Sequence, residues 1–165
     1  MKADDDTYVI VENLRAYLKN LDPNEPYYLG FRLKPYLVKG YNSGGAGYIL
    51  SRKAMQIFAS KLFPNSSLCP FHKFEDVGIG ECLEKAGIYP HDTRDSTGRQ
   101  LFNLFTPSVM LQGGLPTEEE RSKWFIDDVK AGYDAVSPEA ISFHHISPQV
   151  MEAMEVALYR VRPKQ

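Results

Sequence analysis

Lys2-Ala3-Asp4-Asp5-Asp6-Thr7-Tyr8 sets three consecutive carboxylates directly ahead of an apolar-periodic segment. Such a triplet relieves its own repulsion in one of two ways. It caps a helix, where each acid gains roughly 0.3–1 kcal/mol from the dipole, or it holds a divalent cation. A second acidic pair, Glu75-Asp76, precedes Ile79, Cys82, Leu83 and Ala86, which share one helical face, so capping is the simplest reading there too. Imidazoles come from Ile141-Ser142-Phe143-His144-His145-Ile146. In a strand, His144 and His145 point to opposite faces, and at most one joins a given site. A neutral imidazole with one or more carboxylates makes a shell for Mn2+ that leaves positions open for phosphate oxygens and water.

Between the two acidic clusters runs Gly40-Tyr41-Asn42-Ser43-Gly44-Gly45-Ala46-Gly47-Tyr48-Ile49-Leu50-Ser51. Its glycines let the backbone approach a ligand closely or take positive φ; a tight bend inside a sheet is the competing reading. No Gly-Lys-Ser/Thr follows, and the run is not Gly-x-Gly-x-x-Gly, so neither a P-loop nor a dinucleotide fingerprint is present. Cys69 and Cys82 bracket the Glu75-Asp76 pair. Two thiols without ligand-spaced histidines do not make a zinc site; a disulfide and two free buried thiols both fit the count.

The elements that must position these groups follow from periodicity. Ile10, Leu14, Tyr17, Leu18 and Leu21 predict a helix over about 7–20, ended by Asp22-Pro23-Asn24. The triplet then stands at the mouth of that helix. If it closes a strand, only Met1, Lys2 and Ala3 precede it, so most of that strand's sheet is expected outside this chain. A short strand is expected over 26–30 and a helix after Ser51 with Ala54, Ile57, Phe58 and Leu62 on its apolar face. Further on come a short strand over 101–105, a helix from Pro116 carrying Trp124, Phe125 and Val129, and a strand over 140–146. A last helix is capped at Ser147-Pro148 and expected to bury Val150, Met154, Ala157, Leu158 and Val161. Alternation of short strands with amphipathic helices predicts an α/β fold, with the glycine run and the His144 strand close together in a mixed sheet.

Composition bounds the function. With 165 residues, 43% hydrophobic, the chain suffices for one domain with a real core. A net charge of −2 with interspersed signs gives no basic field for nucleic acid and no polybasic membrane patch. No apolar run approaches the roughly 18 residues needed to span a bilayer, and the first residues are no signal peptide. Ten Tyr and nine Phe suit an aromatic core, or a cleft that packs against sugars.

Five ordered motifs together carry a resemblance. Lys-Ala-Asp-Asp-Asp-Thr-Tyr (2–8), Lys-Pro-Tyr (34–36), Gly-Tyr-x-Ser-Gly-Gly-Ala-Gly-Tyr-x-Leu-Ser (40–51), Glu-Asp-Val-x-x-Gly-x-Cys (75–82) and Ile-Ser-Phe-His (141–144) resemble glycosyltransferase family 31, most closely its core 1 β1,3-galactosyltransferase branch. The resemblance implies the C-terminal part of a GT-A fold, residues 1–165 forming a partial catalytic domain that starts at the DxD motif. The nucleotide-binding half, the membrane span and the stem of such enzymes are expected to lie outside this chain. It implies inverting, Mn2+-dependent transfer from UDP-galactose to N-acetylgalactosamine on glycoprotein Ser/Thr, on the lumenal side of the Golgi membrane; a homodimer is among the assemblies it allows.

Residue by residue, the resemblance makes Asp6 and His144 the metal ligands and Asp76 the general base. Asp4, Asp5, Tyr41, Gly44, Gly45, Ala46, Glu75 and His145 are assigned to the donor or substrate, and Cys69–Cys82 to a disulfide holding the base-bearing loop. The chemistry supports it independently: inversion needs one carboxylate to deprotonate the attacking hydroxyl and a metal to neutralise the leaving diphosphate, hence two separate acidic clusters. A hydrolase's carboxyl pair is the rival use of two acids, and the clustered triplet with a His and a glycine-lined cleft fits it less well. The stretches Arg121-Ser122-Lys123-Trp124-Phe125 and Ala135-Val136-Ser137-Pro138 depart from the branch, which has an aromatic-rich segment and a Cys-Cys pair there; acceptor choice stays open. The alternative class is a non-catalytic chaperone-like or binding relative, which lacks the acidic triplet that this chain keeps.

Overall fold

Residues 1–161 are described by the computed structural model. A two-residue strand, β1 (Tyr8–Val9), separates the acidic triplet from helix α1 (Val11–Leu18). Ile10 occupies the N-cap and Glu12 is the acid of the first turn, so the triplet does not cap this helix. The expected start at Thr7 was early because Tyr8 and Val9 pair with another strand instead. Leu14, Tyr17 and Leu18 pack half-buried onto the main core, as their spacing predicts.

Four short strands follow: β2 (Tyr28–Gly30), β3 (Arg32–Leu33), β4 (Tyr41–Asn42) and β5 (Tyr48–Leu50). Ser51 caps α2 (Arg52–Ile57) by accepting from the Ala54 N–H, and the helix continues as a π turn over Phe58–Leu62. After a loop come α3 (Glu75–Glu84), β6 (Pro90–His91), β7 (Phe102–Asn103) and α4 (Pro107–Gln112). Helix α5 (Glu118–Trp124) opens with a capping box between Thr117 and Glu120, worth about 1 kcal/mol. Strand β8 (Ser142–Phe143) and helix α6 (Pro148–Tyr159), capped by Ser147, complete the described chain.

The mixed α/β architecture is the expected one, with its mixed pairing divided over two three-stranded sheets. In the first, β2 lies antiparallel to β5 and parallel to β6; in the second, β8 lies antiparallel to β1 and parallel to β7. Strands β3 and β4 form a separate antiparallel pair. Leu29, Phe31, Ala46 and Ile49 from the first region meet Leu101, Phe102 and Ile141 from the second in one core. Full burial of each large side chain here contributes roughly 1.5–3 kcal/mol. The sheets are stitched by hydroxyls: Ser142 Oγ donates to the Ala46 carbonyl (2.6 Å) and Thr7 Oγ1 to the Gly45 carbonyl (2.6 Å).

The backbone ahead of the triplet has one neighbour inside this chain: Lys2 and Tyr48 exchange both backbone hydrogen bonds at 2.9 Å, extending the β5 edge. One expectation is corrected. The apolar positions of α6 are largely exposed, with Val150 and Leu158 at 42% and 46%, because only the Met151 and Met154 side of that helix reaches a core. Among the described residues no helix is long and apolar enough to cross a membrane.

Candidate active site

The acidic triplet is held by the turn that follows it. The Thr7 N–H donates to the Asp4 carbonyl (3.2 Å), and the Asp4 N–H donates to Thr7 Oγ1 (3.2 Å). Beyond β8, the Ile146 N–H donates to the Asp6 carbonyl (2.8 Å), fixing Asp6 against the chain that carries both histidines. Asp6 Oδ1 lies 3.2 Å from His144 Nε2 and Asp6 Oδ2 lies 3.5 Å from His145 Nδ1.

His145 is therefore not turned away. Strand β8 ends at Phe143, and His145 adopts φ +59°, a left-handed conformation that carries its ring back onto that of His144, centroids 3.7 Å apart. The alternation of an extended strand does not apply past the strand's end, so both imidazoles face Asp6. The donor atoms of Asp6, His144 and His145 lie within 4.8 Å of one another. The 3.2 Å between Asp6 and His144 is close to the roughly 3 Å between adjacent ligands of a small divalent ion coordinated at about 2.1 Å. A carboxylate with imidazole nitrogen is a donor set that Mn2+ accepts. Burial, reinforced by the neighbouring His145, pushes the His144 imidazole below its ordinary pKa against the opposing pull of Asp6 and Asp4, which favours the neutral, ligating form.

The glycine run connects this cluster to the second acidic pair. Gly45 lies flat against the His144 imidazole, and the Gly44 N–H donates to Asp76 Oδ2 (3.0 Å). Asp76 Oδ1 accepts from the Val77 N–H (2.9 Å), so Asp76 both satisfies an orphan donor of α3 and reaches across to the glycine run. Each carboxylate oxygen keeps accepting capacity, as a proton acceptor requires. Glu75 Oε1 accepts from the Tyr48 hydroxyl (2.5 Å), and Glu75 Oε2 lies 3.5 Å from Lys2 Nζ. Desolvation, with the hydrogen bond to Glu75 next, pushes the Tyr48 hydroxyl well above its ordinary pKa, so it stays a donor.

Behind α3, Cys69 and Cys82 form a disulfide, tying the 63–74 loop to the helix that carries Asp76. Closing a loop of this length contributes about 3 kcal/mol. Tyr41 and Ala46 are buried, 4% and 0% exposed; burial and then the nearby Asp76 carboxylate raise the pKa of the Tyr41 hydroxyl, and Ala46 offers Ser142 its carbonyl. Asp5 is exposed and makes no side-chain hydrogen bond among the described residues, whereas Asp4 pairs with Lys2.

The sequence reading passed over Lys2, Thr7 and Ser142. Lys2 had a usable signal: in an extended segment residues two apart share a face, so an ammonium two positions before Asp4 belongs beside it. Thr7 and Ser142 act through hydroxyl bonds to carbonyls far away in sequence, which no local pattern encodes.

Comparison with known proteins places these features in context. The Fringe-like family matches residues 1–150. Glycoprotein-N-acetylgalactosamine 3-beta-galactosyltransferase 1 of Xenopus laevis is 40% identical over 166 aligned positions, 98% of this chain and 45% of that protein. Lactosylceramide 1,3-N-acetyl-beta-D-glucosaminyltransferase B of Danio rerio is 31% identical over 56% of this chain and 29% of its own length. Human chondroitin sulfate synthase 3 is 28% identical over 53% of this chain and 11% of its own length. The chain thus spans under half the length of each.

Proposed function

The chain belongs to the Fringe-like glycosyltransferase family, and on that premise we propose that it carries the catalytic centre for inverting transfer of galactose from UDP-galactose to O-linked N-acetylgalactosamine of glycoproteins, in β1,3 linkage. The observation that carries this reading is the glycine run with a different acidic cluster on each side: His144 and Asp6 beyond Gly45, Asp76 bonded to Gly44. That layout supports a donor diphosphate on one side and an acceptor hydroxyl on the other, as an in-line displacement needs.

Asp6 and His144 hold Mn2+ in this reading, with His145 stacked on His144 and available as a further donor. When bound, the ion neutralises the charge that develops on the leaving diphosphate. Asp76 takes the proton of the attacking hydroxyl; its anchorage to the Gly44 and Val77 amides holds the carboxylate against the glycine run. Because Gly44 and Gly45 present no side chain, Asp76 and the His144 imidazole close on the same stretch of backbone, which brings the base side and the metal side together. The Cys69–Cys82 bridge fits maturation in an oxidising lumen, and the proposed place of action is the lumenal side of the Golgi membrane.

Isothermal titration with UDP in the presence and absence of Mn2+, followed by transfer assays on a peptide bearing N-acetylgalactosamine, tests the assignment in a chain that includes the nucleotide-binding half the resemblance implies. Asp6→Ala is expected to abolish Mn2+-dependent UDP binding. Asp76→Asn is expected to leave it nearly intact and to lower turnover about 10²–10⁴-fold. Full transfer activity in Asp76→Asn would show that the acid only serves the helix end.

A further inference from the structure

Lys2 stands between the two acidic clusters, and the proposed mechanism gives it no role. Its backbone is pinned to Tyr48, and its ammonium reaches Asp4 Oδ1 at 2.5 Å and Glu75 Oε2 at 3.5 Å. Tyr48, paired with Lys2 through the backbone, donates its hydroxyl to the other oxygen of Glu75. The result is a closed ring of contacts from Lys2 to Tyr48 to Glu75 and back. Among the described residues, Lys2 is the only Lys or Arg in ion-pair contact with the triplet or with Glu75 and Asp76.

Adjacent helical residues do not ordinarily share a face. Here they converge on one spot. A Cβ built on Gly44 would meet Lys2 Nζ at 2.8 Å, the Asp76 Cβ at 3.3 Å and Glu75 Oε2 at 3.5 Å. The side chain that Gly44 lacks is thus the space in which the ammonium and both acids meet. Glu75 keeps 55% of its side chain exposed, and an ionised carboxylate with one bond on each oxygen has lone pairs left for a ligand hydroxyl. A flexible glutamate at a helix start is otherwise free to sample several rotamers. Tyr48 on one oxygen and Lys2 on the other restrict it to the rim beside Asp76.

We propose that Lys2 is a positioning residue for the acceptor: with Tyr48 it fixes Glu75 so that this carboxylate accepts a second hydroxyl of the acceptor pyranose, presenting the reacting hydroxyl to Asp76. The proposal rests on Asp76 being the base side of the site. It separates the two sides of the centre, because Lys2 then acts on acceptor recognition and not on the metal-bound donor.

The test is steady-state kinetics with donor and acceptor varied separately, beside saturation-transfer NMR of a glycopeptide carrying α-linked N-acetylgalactosamine. Lys2→Met is expected to raise the acceptor KM at least tenfold, to remove most of the NMR signal, and to leave the donor KM and the Mn2+-dependent affinity for UDP within about twofold. Lys2→Arg should recover much of the acceptor binding. Glu75→Gln and Tyr48→Phe should give the same acceptor-specific signature, and they serve in place of Lys2→Met if that variant fails to fold. Unchanged glycopeptide binding in Lys2→Met, or no binding by the parent chain, overturns the proposal. So does a tenfold loss of UDP affinity with acceptor KM unchanged, which would make Lys2 a donor contact. Failure of the base assignment has its own signature, full transfer in Asp76→Asn, and the NMR comparison does not depend on turnover.

Discussion

The imidazole of His144 occupies the space where a side chain on Gly45 would begin, with one ring carbon and both ring nitrogens closer to that point than any real Cβ tolerates. Gly45 cannot retreat, because its carbonyl accepts from Thr7 and the following Ala46 carbonyl accepts from Ser142. His144 is in turn held by its N–H, which donates to the Asn103 carbonyl (3.1 Å). Glycine is required here for proximity.

Gly45→Ala is accordingly expected to displace the His144 ring away from Asp6. Groups that orient a metal ligand typically change metal affinity 10–100-fold, and a loss of that size in Mn2+-dependent UDP binding is the expected outcome. Overpacking should cost about 1–3 kcal/mol of stability. Titration calorimetry and urea denaturation of the same variant measure both, and a variant with unaltered Mn2+ dependence would detach His144 from the metal.

Asn42 offers a prediction independent of function. It is fully buried on β4 and its backbone N–H donates to the Tyr28 hydroxyl oxygen (3.0 Å), yet neither its side-chain oxygen nor its side-chain nitrogen has a protein partner. Burying an unpaired polar group costs about 1–3 kcal/mol. Asn42→Leu, close in shape and apolar, should raise stability by about 1–2 kcal/mol in chemical denaturation. A loss of that size would mean that the amide is satisfied.

What could be read in the sequence, and what could not, divides by the range of the interaction. Ser51 and Ser147 were legible as caps, because a cap is decided within three residues of its helix. Glu75 and Asp76 were legible at a helix start for the same reason, and the triplet and glycine run by residue type. The triplet's relation to α1 was misread: two residues, Tyr8 and Val9, are enough to form a strand when Ser142 and Phe143 lie opposite, and no window detects so short an element. His145 was misjudged because one positive φ ended the alternation on which its direction was inferred. Lys2 came into the site through a bridge to Tyr48, a pairing between distant segments.

Asp95 supplies a pH prediction. Burial alone would raise its pKa, but bonds from the Arg99 N–H, the Ser137 hydroxyl, Thr97 and the Arg99 guanidinium outweigh it and hold the carboxyl well below its ordinary range. With the folded pKa depressed, the unfolded chain takes up the proton first as pH falls. The contribution to stability is thus fully present above about pH 4 and disappears as pH drops through the folded value. Asp95→Asn should cost about 2–4 kcal/mol near neutral pH, since it breaks a largely buried charged pair, and the gap to the parent should narrow steadily below pH of about 4. Urea denaturation across that range measures it; a gap that stays constant into strong acid would contradict the assignment.

The two histidines should prove unequal despite their stacking. His144 is 13% exposed and 3.2 Å from Asp6, whereas His145 is 63% exposed and 3.5 Å away. His145 also sits at φ +59°, where glycine is comfortable and most residues are strained by about 1–2 kcal/mol. Removing its ring with His145→Gly therefore leaves the backbone path intact, while His145→Ala removes the same ring and keeps a Cβ in the left-handed conformation. If His145 only buttresses His144, His145→Gly should weaken Mn2+-dependent UDP binding less than tenfold and leave stability near that of the parent. His144→Ala should remove most of that binding, though less completely than Asp6→Ala, because His145 is near enough to take its place. His145→Ala should match His145→Gly in binding and fall below it in stability. Equal losses of metal dependence in His144→Ala and His145→Gly would instead make both imidazoles ligands, giving Asp6 two nitrogen partners on the same ion.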